Sequence, residues 1–221
     1  MIDLSPDATV SSIAAVLPGA AEVFRKSGIS FCCGGDIPLA EAARRKDIAP
    51  ESLLAQLQSL LDAAGRDAPE DTPALIAHIL ARYHDTHRAE LEWLIPLAQR
   101  VERVHGDHEE VPLGLTEALL ALQDELDSHM QKEEQILFPM MQQGGNPMIV
   151  HPIAVMRHEH DDTTNLLHNV EHVTNGLNLP VGACGSWTAL YTGLRKFSED
   201  LVTHIHLENN VLFPRFETRA A

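Results

Sequence analysis

The stretches HMQKEEQILFPM (129–140) and HIHLENNVLFPR (204–215) decide the fold. Each writes His, three residues, Glu and then Leu-Phe-Pro, and the two lie 75 positions apart. Extending the 3-4 alternation of a helix through the first gives positions 119, 122, 126, 129, 133, 136 and 140, which carry Leu, Leu, Leu, His, Glu, Ile and Met. Extending it through the second gives Leu190, Leu194, Phe197, Leu201, His204, Glu208 and Val211. Both His-Glu pairs therefore fall inside an apolar stripe. A carboxylate on a core face is costly unless compensated. One such pair is as well explained by a His–Glu hydrogen bond. Two helices with the same spacing point instead to a shared cation, because residues i and i+4 stand one turn apart on one side of a helix.

Two further helical patterns flank these, so that four segments, roughly 74–104, 114–142, 152–175 and 185–216, follow one another across short Gly/Pro/Asn-bearing loops. Short connections force neighbouring helices to run antiparallel, and the expected architecture is all-α, an up-down-up-down four-helix bundle. On the third segment the stripe 153, 156, 160, 163, 167 and 170 turns His160 inward and leaves His158 off the face. On the first, positions 76, 80, 83, 91 and 94 admit His84 or His87, with periodicity favouring His87. All thirteen histidines lie between His78 and His206. Imidazole and carboxylate without thiolate suit iron or manganese and allow zinc. Four His and two Glu exceed what one tetrahedral zinc needs, and two metals bridged by Glu133 and Glu208 fit the count. A ferritin-type site requires Glu-x-x-His on two helices, and the motif occurs once, at Glu102 and His105.

Ahead of the bundle, GRDAPEDTP (65–73) reads as a linker. The residues before it, 1–66, contain four short helical patterns with Gly28 and Gly65 at C-terminal cap positions, and residues 74–221 form the bundle. The 44% hydrophobic and 22% charged composition is that of a globular protein. A formal charge of −16 argues against nucleic acid and anionic membrane as partners. The start of the chain is neither basic nor apolar, and no segment approaches the ~18 apolar residues of a membrane span. Three cysteines, two of them adjacent, make no disulfide framework. A cytoplasmic protein is expected.

The ordered set FCCGG, RYHDTHR, SHMQKEEQILFPM, EHD and HIHLENNVLFPR resembles the iron-sulfur cluster repair di-iron proteins, the RIC family, whose main domain is hemerythrin-like. The resemblance covers nearly the whole chain. It implies a non-haem di-iron centre, oxo-bridged, held by His84, His129, His160 and His204 with Glu133 and Glu208 bridging, and so selects His84 over His87. It also implies roles near the metal path for Glu125 and Glu159, and a thiol motif at Cys32 and Cys33. The implied function is repair of iron-sulfur clusters damaged by nitric oxide or peroxide, by donating iron or through nitric oxide reductase-like chemistry. Iron-sulfur proteins would be the partners, and nitric oxide or dioxygen the small ligands. The alternative is a dioxygen-binding or sensing hemerythrin, which needs only the bundle. Cys184, in the loop VGACGS, is expected to be incidental, and His78, His87, His108, His151, His158, His168, His172 and His206 are expected at the surface or behind the ligands.

Overall fold

The structure, a computed structural model, describes residues 4–217 except 32, 33, 65 and 67. Cys32, Cys33 and Gly65 thus lie outside the described residues. Four short helices come first: α1 (Val10–Val16), α2 (Ala20–Lys26), α3 (Leu39–Arg44) and α4 (Pro50–Ala63). Thr9 caps α1 by accepting from Ser12 N, and α2 ends at Gly28, whose φ of 65° lets Ile29 N reach back to Phe24 O. Their apolar faces make a core of their own around Leu17, Phe24, Leu39, Leu53 and Leu57. In the FCCGG stretch, a Cβ on Gly35 would stand 2.3 Å from the Phe31 carbonyl oxygen, so only glycine lets the two backbones approach there.

The bundle has four rods. The first is α5 (Thr72–Ile79), a π-turn at Leu80–His84 and α6 (Asp85–Val104). The second is α7 (Leu115–Lys132), a π-turn at Glu133–Leu137 and α8 (Phe138–Gln142), and the third is α9 (Val150–Val173). The fourth is α10 (Gly185–Leu207), a π-turn at Glu208–Leu212 and α11 (Pro214–Glu217). Neighbours run antiparallel: Glu102 at the end of α6 bonds Thr116 at the start of α7, and Arg157 near the start of α9 grips Glu217 at the end of the fourth rod. Asp71 caps α5 by accepting from Ala74 N at 3.1 Å. Among the described residues there is no strand, only an isolated bridge between Thr9 and Pro38.

The three π-turns correct the expected stripes. In each, one N–H bonds the carbonyl five residues back: Asp85 to Leu80, Phe138 to Glu133 and Phe213 to Glu208. A π-turn adds one residue to a turn, so every position beyond it moves on by one. Ile136, expected inside, is 55% exposed, and Leu137, Phe138 and Met141 are buried instead. In the fourth rod Leu212, Phe213 and Phe216 take the place expected of Val211. Pro139 and Pro214 sit just past the second and third π-turns. A proline has no N–H to give and its ring crowds the carbonyl four residues back, so it favours a loosened turn ahead of it.

The rods enclose two apolar cores, one around Leu94, Leu122, Leu126, Trp187 and Leu201, the other around Ile76, Ile79, Phe138, Met156 and Phe213. α10 is buried nearly all round, with Asp200, Leu201 and Val202 and then His204 through Leu207 out of solvent. The reason is that α1 packs on its back, while Arg25 of α2 contacts Glu199 at 3.5 Å. Gly193 brings α10 against α6, since a Cβ there would meet Trp93 and Leu94 at 2.1 and 2.9 Å.

Candidate metal centre

Between the two apolar cores lies a polar layer made of His84, His129, Glu133, His160, His204 and Glu208, all fully buried. The four imidazoles meet in pairs: His84 Nε2 stands 3.1 Å from His204 Nε2, and His129 Nε2 stands 3.1 Å from His160 Nε2. Both glutamates serve both pairs. Glu133 Oε2 lies 3.4 Å from each of His84 and His129 Nε2, while Glu208 lies 3.0 Å from His204 and 2.9 Å from His160. Two groups capable of holding a cation result, His84–Glu133–His204–Glu208 and His129–Glu133–His160–Glu208.

The outer ring nitrogens explain the orientation. His84 Nδ1 meets Glu134 at 2.8 Å, His129 Nδ1 meets Glu159 at 3.1 Å, and His160 Nδ1 meets Asn209 Oδ1 at 3.0 Å. An acceptor fixed outside makes Nδ1 the protonated nitrogen and turns the Nε2 lone pair inward. Three imidazoles thus aim lone pairs at the same space, and neither oxygen of Glu133 has a hydrogen-bond donor. Converging lone pairs and buried carboxylates repel one another unless cations lie between them, so the donor set fits metal.

The charges agree. Burial works against a charge on His84, yet Glu133 and Glu208 outweigh it and hold the imidazole up at about 10, so that a proton on Nε2 stands where a cation would otherwise take the lone pair. Burial alone would raise Glu208, but His204, His160 and His84 carry it well below the usual carboxylate range. Glu159 is held at about 2, chiefly by the His129 hydrogen bond against its own burial, with Lys132 assisting. The two carboxylates draw positive charge into the layer from every side.

The layer has an approximate two-fold symmetry, and this is what the repeated stretches write. By sequence register and by paired contacts the first two rods answer to the last two: His84 to His160, His129 to His204, and Glu133 to Glu208. Phe138 packs on His84 with ring centroids 5.7 Å apart, as Phe213 packs on His160 at 5.8 Å. Glu134 and Asn209, each following its glutamate, hold histidines of the neighbouring rod. The symmetry breaks behind His204. Its counterpart His129 has Glu159, whereas the matching residue Tyr83 stacks flat on the His204 ring at 5.5 Å, and His204 Nδ1 has no partner.

The sequence-based expectations stand as follows. His129, Glu133, His160, His204 and Glu208 come together with His84, which an α-helical extrapolation had placed second to His87. The π-turn at Leu80–His84 supplies the extra residue that swings His84 inward. His87 is nevertheless fully buried, its ring 5.3 Å from that of His204, and burial carries it well below the usual imidazole range. His206 is buried as well. Glu159 touches a layer histidine, while no hydrogen bond ties half-buried Glu125 to the layer among the described residues. Glu134 and Asn209 were missed, although their adjacency to Glu133 and Glu208 was a signal.

A family model described as the hemerythrin HHE cation binding domain matches residues 75–216. A second, described as a domain of unknown function (DUF542), matches residues 6–61. The iron-sulfur cluster repair protein YtfE of Pectobacterium atrosepticum is 46% identical over 212 residues, 95% of this chain and 96% of that protein. Those of Shigella boydii serotype 4 and Escherichia coli strain K12 are 46% identical over 213 residues, again 95% of this chain and 96% of each relative. The chain belongs to the iron-sulfur cluster repair family. Relatives of that name share both its segments, the one before the linker and the hemerythrin domain. No described helix is long and apolar enough to cross a membrane.

Proposed function

We propose that this protein is a cytoplasmic di-iron protein that restores iron-sulfur clusters damaged by nitrosative or oxidative stress. The observation carrying the reading is the buried layer in which two histidine pairs share two glutamates. His84 and His204 would hold one iron, His129 and His160 the other, with Glu133 and Glu208 bridging. Two adjacent non-haem irons supply two electrons and a mobile pool of iron, the resources that cluster repair and nitric oxide chemistry draw upon. The chain's own part is to keep three imidazole lone pairs aimed inward through Glu134, Glu159 and Asn209, and to exclude water with the apolar cores above and below. Iron-sulfur proteins carrying damaged clusters are the partners in this reading. It is favoured over a dioxygen carrier by the names of the relatives and by the segment before the linker, which a carrier does not require.

Residues 1–66 and 74–221 act here as two modules. A cavity of about 340 Å³ at their seam is lined by Pro18, Leu60, His78, Tyr83 and Leu207, and Tyr83 stacks on His204, so the first module reaches the back of one histidine pair. The purified protein should carry two irons per chain with oxo-bridge absorption. A Cys32→Ser, Cys33→Ser variant should keep that iron and fail to reactivate a nitric-oxide-damaged cluster enzyme. Full reactivation would assign repair to the bundle alone, and an iron-free parent would end the di-iron reading.

A further inference from the structure

The two apolar cores flanking the polar layer differ in one respect. On the side of Phe138 and Phe213 the layer meets only hydrocarbon and rings. On the side of Leu126 and Leu201 two buried polar side chains intervene. His87 and Thr163 occupy matching places, one turn past His84 and His160 on the two parallel rods, and are fully buried. Both ring nitrogens of His87 and the hydroxyl of Thr163 lack any hydrogen-bond partner.

Neither orphan is accounted for by ordinary packing. A threonine on a helix commonly donates to the carbonyl four residues back, as buried Thr174, half-buried Thr203 and exposed Thr188 and Thr192 do here at 2.7–3.1 Å. Thr163 does not. His87 sits edge-on to Phe197 with centroids 5.3 Å apart and beside Tyr83 and His204, surroundings that hold the ring without satisfying it. A buried polar group left unmatched costs about 1–3 kcal/mol, and two at equivalent positions on the first and third rods call for a partner that the packing does not supply.

We propose that His87 and Thr163 form the polar wall of a pocket on this side of the layer. Each would donate a hydrogen bond to a small ligand that binds at the metal centre and carries terminal lone pairs, of the size of nitric oxide, dioxygen or azide. The inference rests on the di-iron reading. It adds that the small ligand enters on the Leu126 and Leu201 side and that His87, excluded from the metal set, positions it.

The test uses the full-length iron-loaded protein with azide on the ferric form and nitric oxide on the ferrous form. In His87→Leu and Thr163→Val, singly and together, iron content should equal the parent's. Azide affinity should fall about tenfold for each lost hydrogen bond, near 1.4 kcal/mol. The ligand stretching band, which in the parent should shift between H2O and D2O, should lose that shift in the double variant. His87→Gln, which keeps a donor, should restore part of the affinity. Retained iron with unchanged affinity and an unchanged isotope shift overturns the proposal and leaves the metal centre standing. So does iron loss in both single variants, which would make the two residues supports of the metal. An iron-free parent removes the di-iron reading and the proposal with it.

Discussion

The two halves of the bundle, rods one and two against rods three and four, place the same three-residue plan in space but support it differently. Beyond the layer they match almost position for position: Leu91 answers to Leu167, Leu94 to Val170, Leu119 to Leu194 and Leu126 to Leu201, all buried. Glu171 stands in the place of Ile95, and further differences lie around the layer. His129 is held by a carboxylate and His204 by none, because Glu159 answers to Tyr83. His84 is held by a carboxylate and His160 by an amide. The first rod reaches the layer through a π-turn, and the third through unbroken helix. An apolar core tolerates near-repetition, whereas the partners of the ligands have diverged, so the two proposed irons sit in unequal settings.

The most severe way to break the comparison is to remove what both halves share. Glu133→Ala with Glu208→Ala should abolish bound iron and magnetic coupling together. Undiminished iron measured by atomic emission would show that the glutamates are ordinary ion-pair partners. Next, His204→Ala should empty one half, taking iron from about two towards one per chain. It should also cost about 3 kcal/mol in denaturant unfolding, because a buried carboxylate loses its partner. His158→Ala, at a side chain 78% exposed, is the matched control and should change neither.

A third test lies at Glu171, where the second half carries a buried carboxylate opposite the first half's Ile95. Burial holds Glu171 up at about 7 despite a hydrogen bond from Ser198 Oγ and the nearby charge of Arg25. The folded state binds this proton more tightly than the unfolded one. Its contribution is complete below about pH 4.5 and is lost as pH rises through about 7, some 3 kcal/mol in all. Glu171→Gln should flatten that part of the stability profile, and an unaltered slope would refute the assignment. The smallest expected effect sharpens the comparison most. Glu159→Gln should weaken iron binding about tenfold, the usual consequence of loosening a ligand's outer partner, while Tyr83→Phe, at the equivalent place, should leave it unchanged because only the ring face is used.

How much of this could be read from residues alone depends on the regularity of the backbone. Four rods, the linker, and five of the six layer residues follow from 3.6-residue periodicity and from the repeated His-x3-Glu. Periodicity failed wherever a π-turn intervened. It ranked His87 above His84, and it placed Ile136 and Val211 inside where Leu137 and Leu212 belong. For the second and third π-turns the Leu-Phe-Pro that closes both stretches was the available sign, since a proline inside an apolar helical pattern favours a loosened turn ahead of it. Glu134, Asn209 and the Tyr83 stack are contacts between rods, and no pattern along one rod records them.

The burial of α10 on almost every side has a consequence in time. Synthesis runs from the amino end, so the rod bearing His204 and Glu208 emerges after every other element that it joins. Until then the first three rods present four of the six layer residues to solvent around an open furrow, and α1 has no back to lie on. Iron offered to the nascent chain would meet half-formed sites of mixed affinity. In the completed chain one helix closes the furrow and gives α1 its seat in the same event.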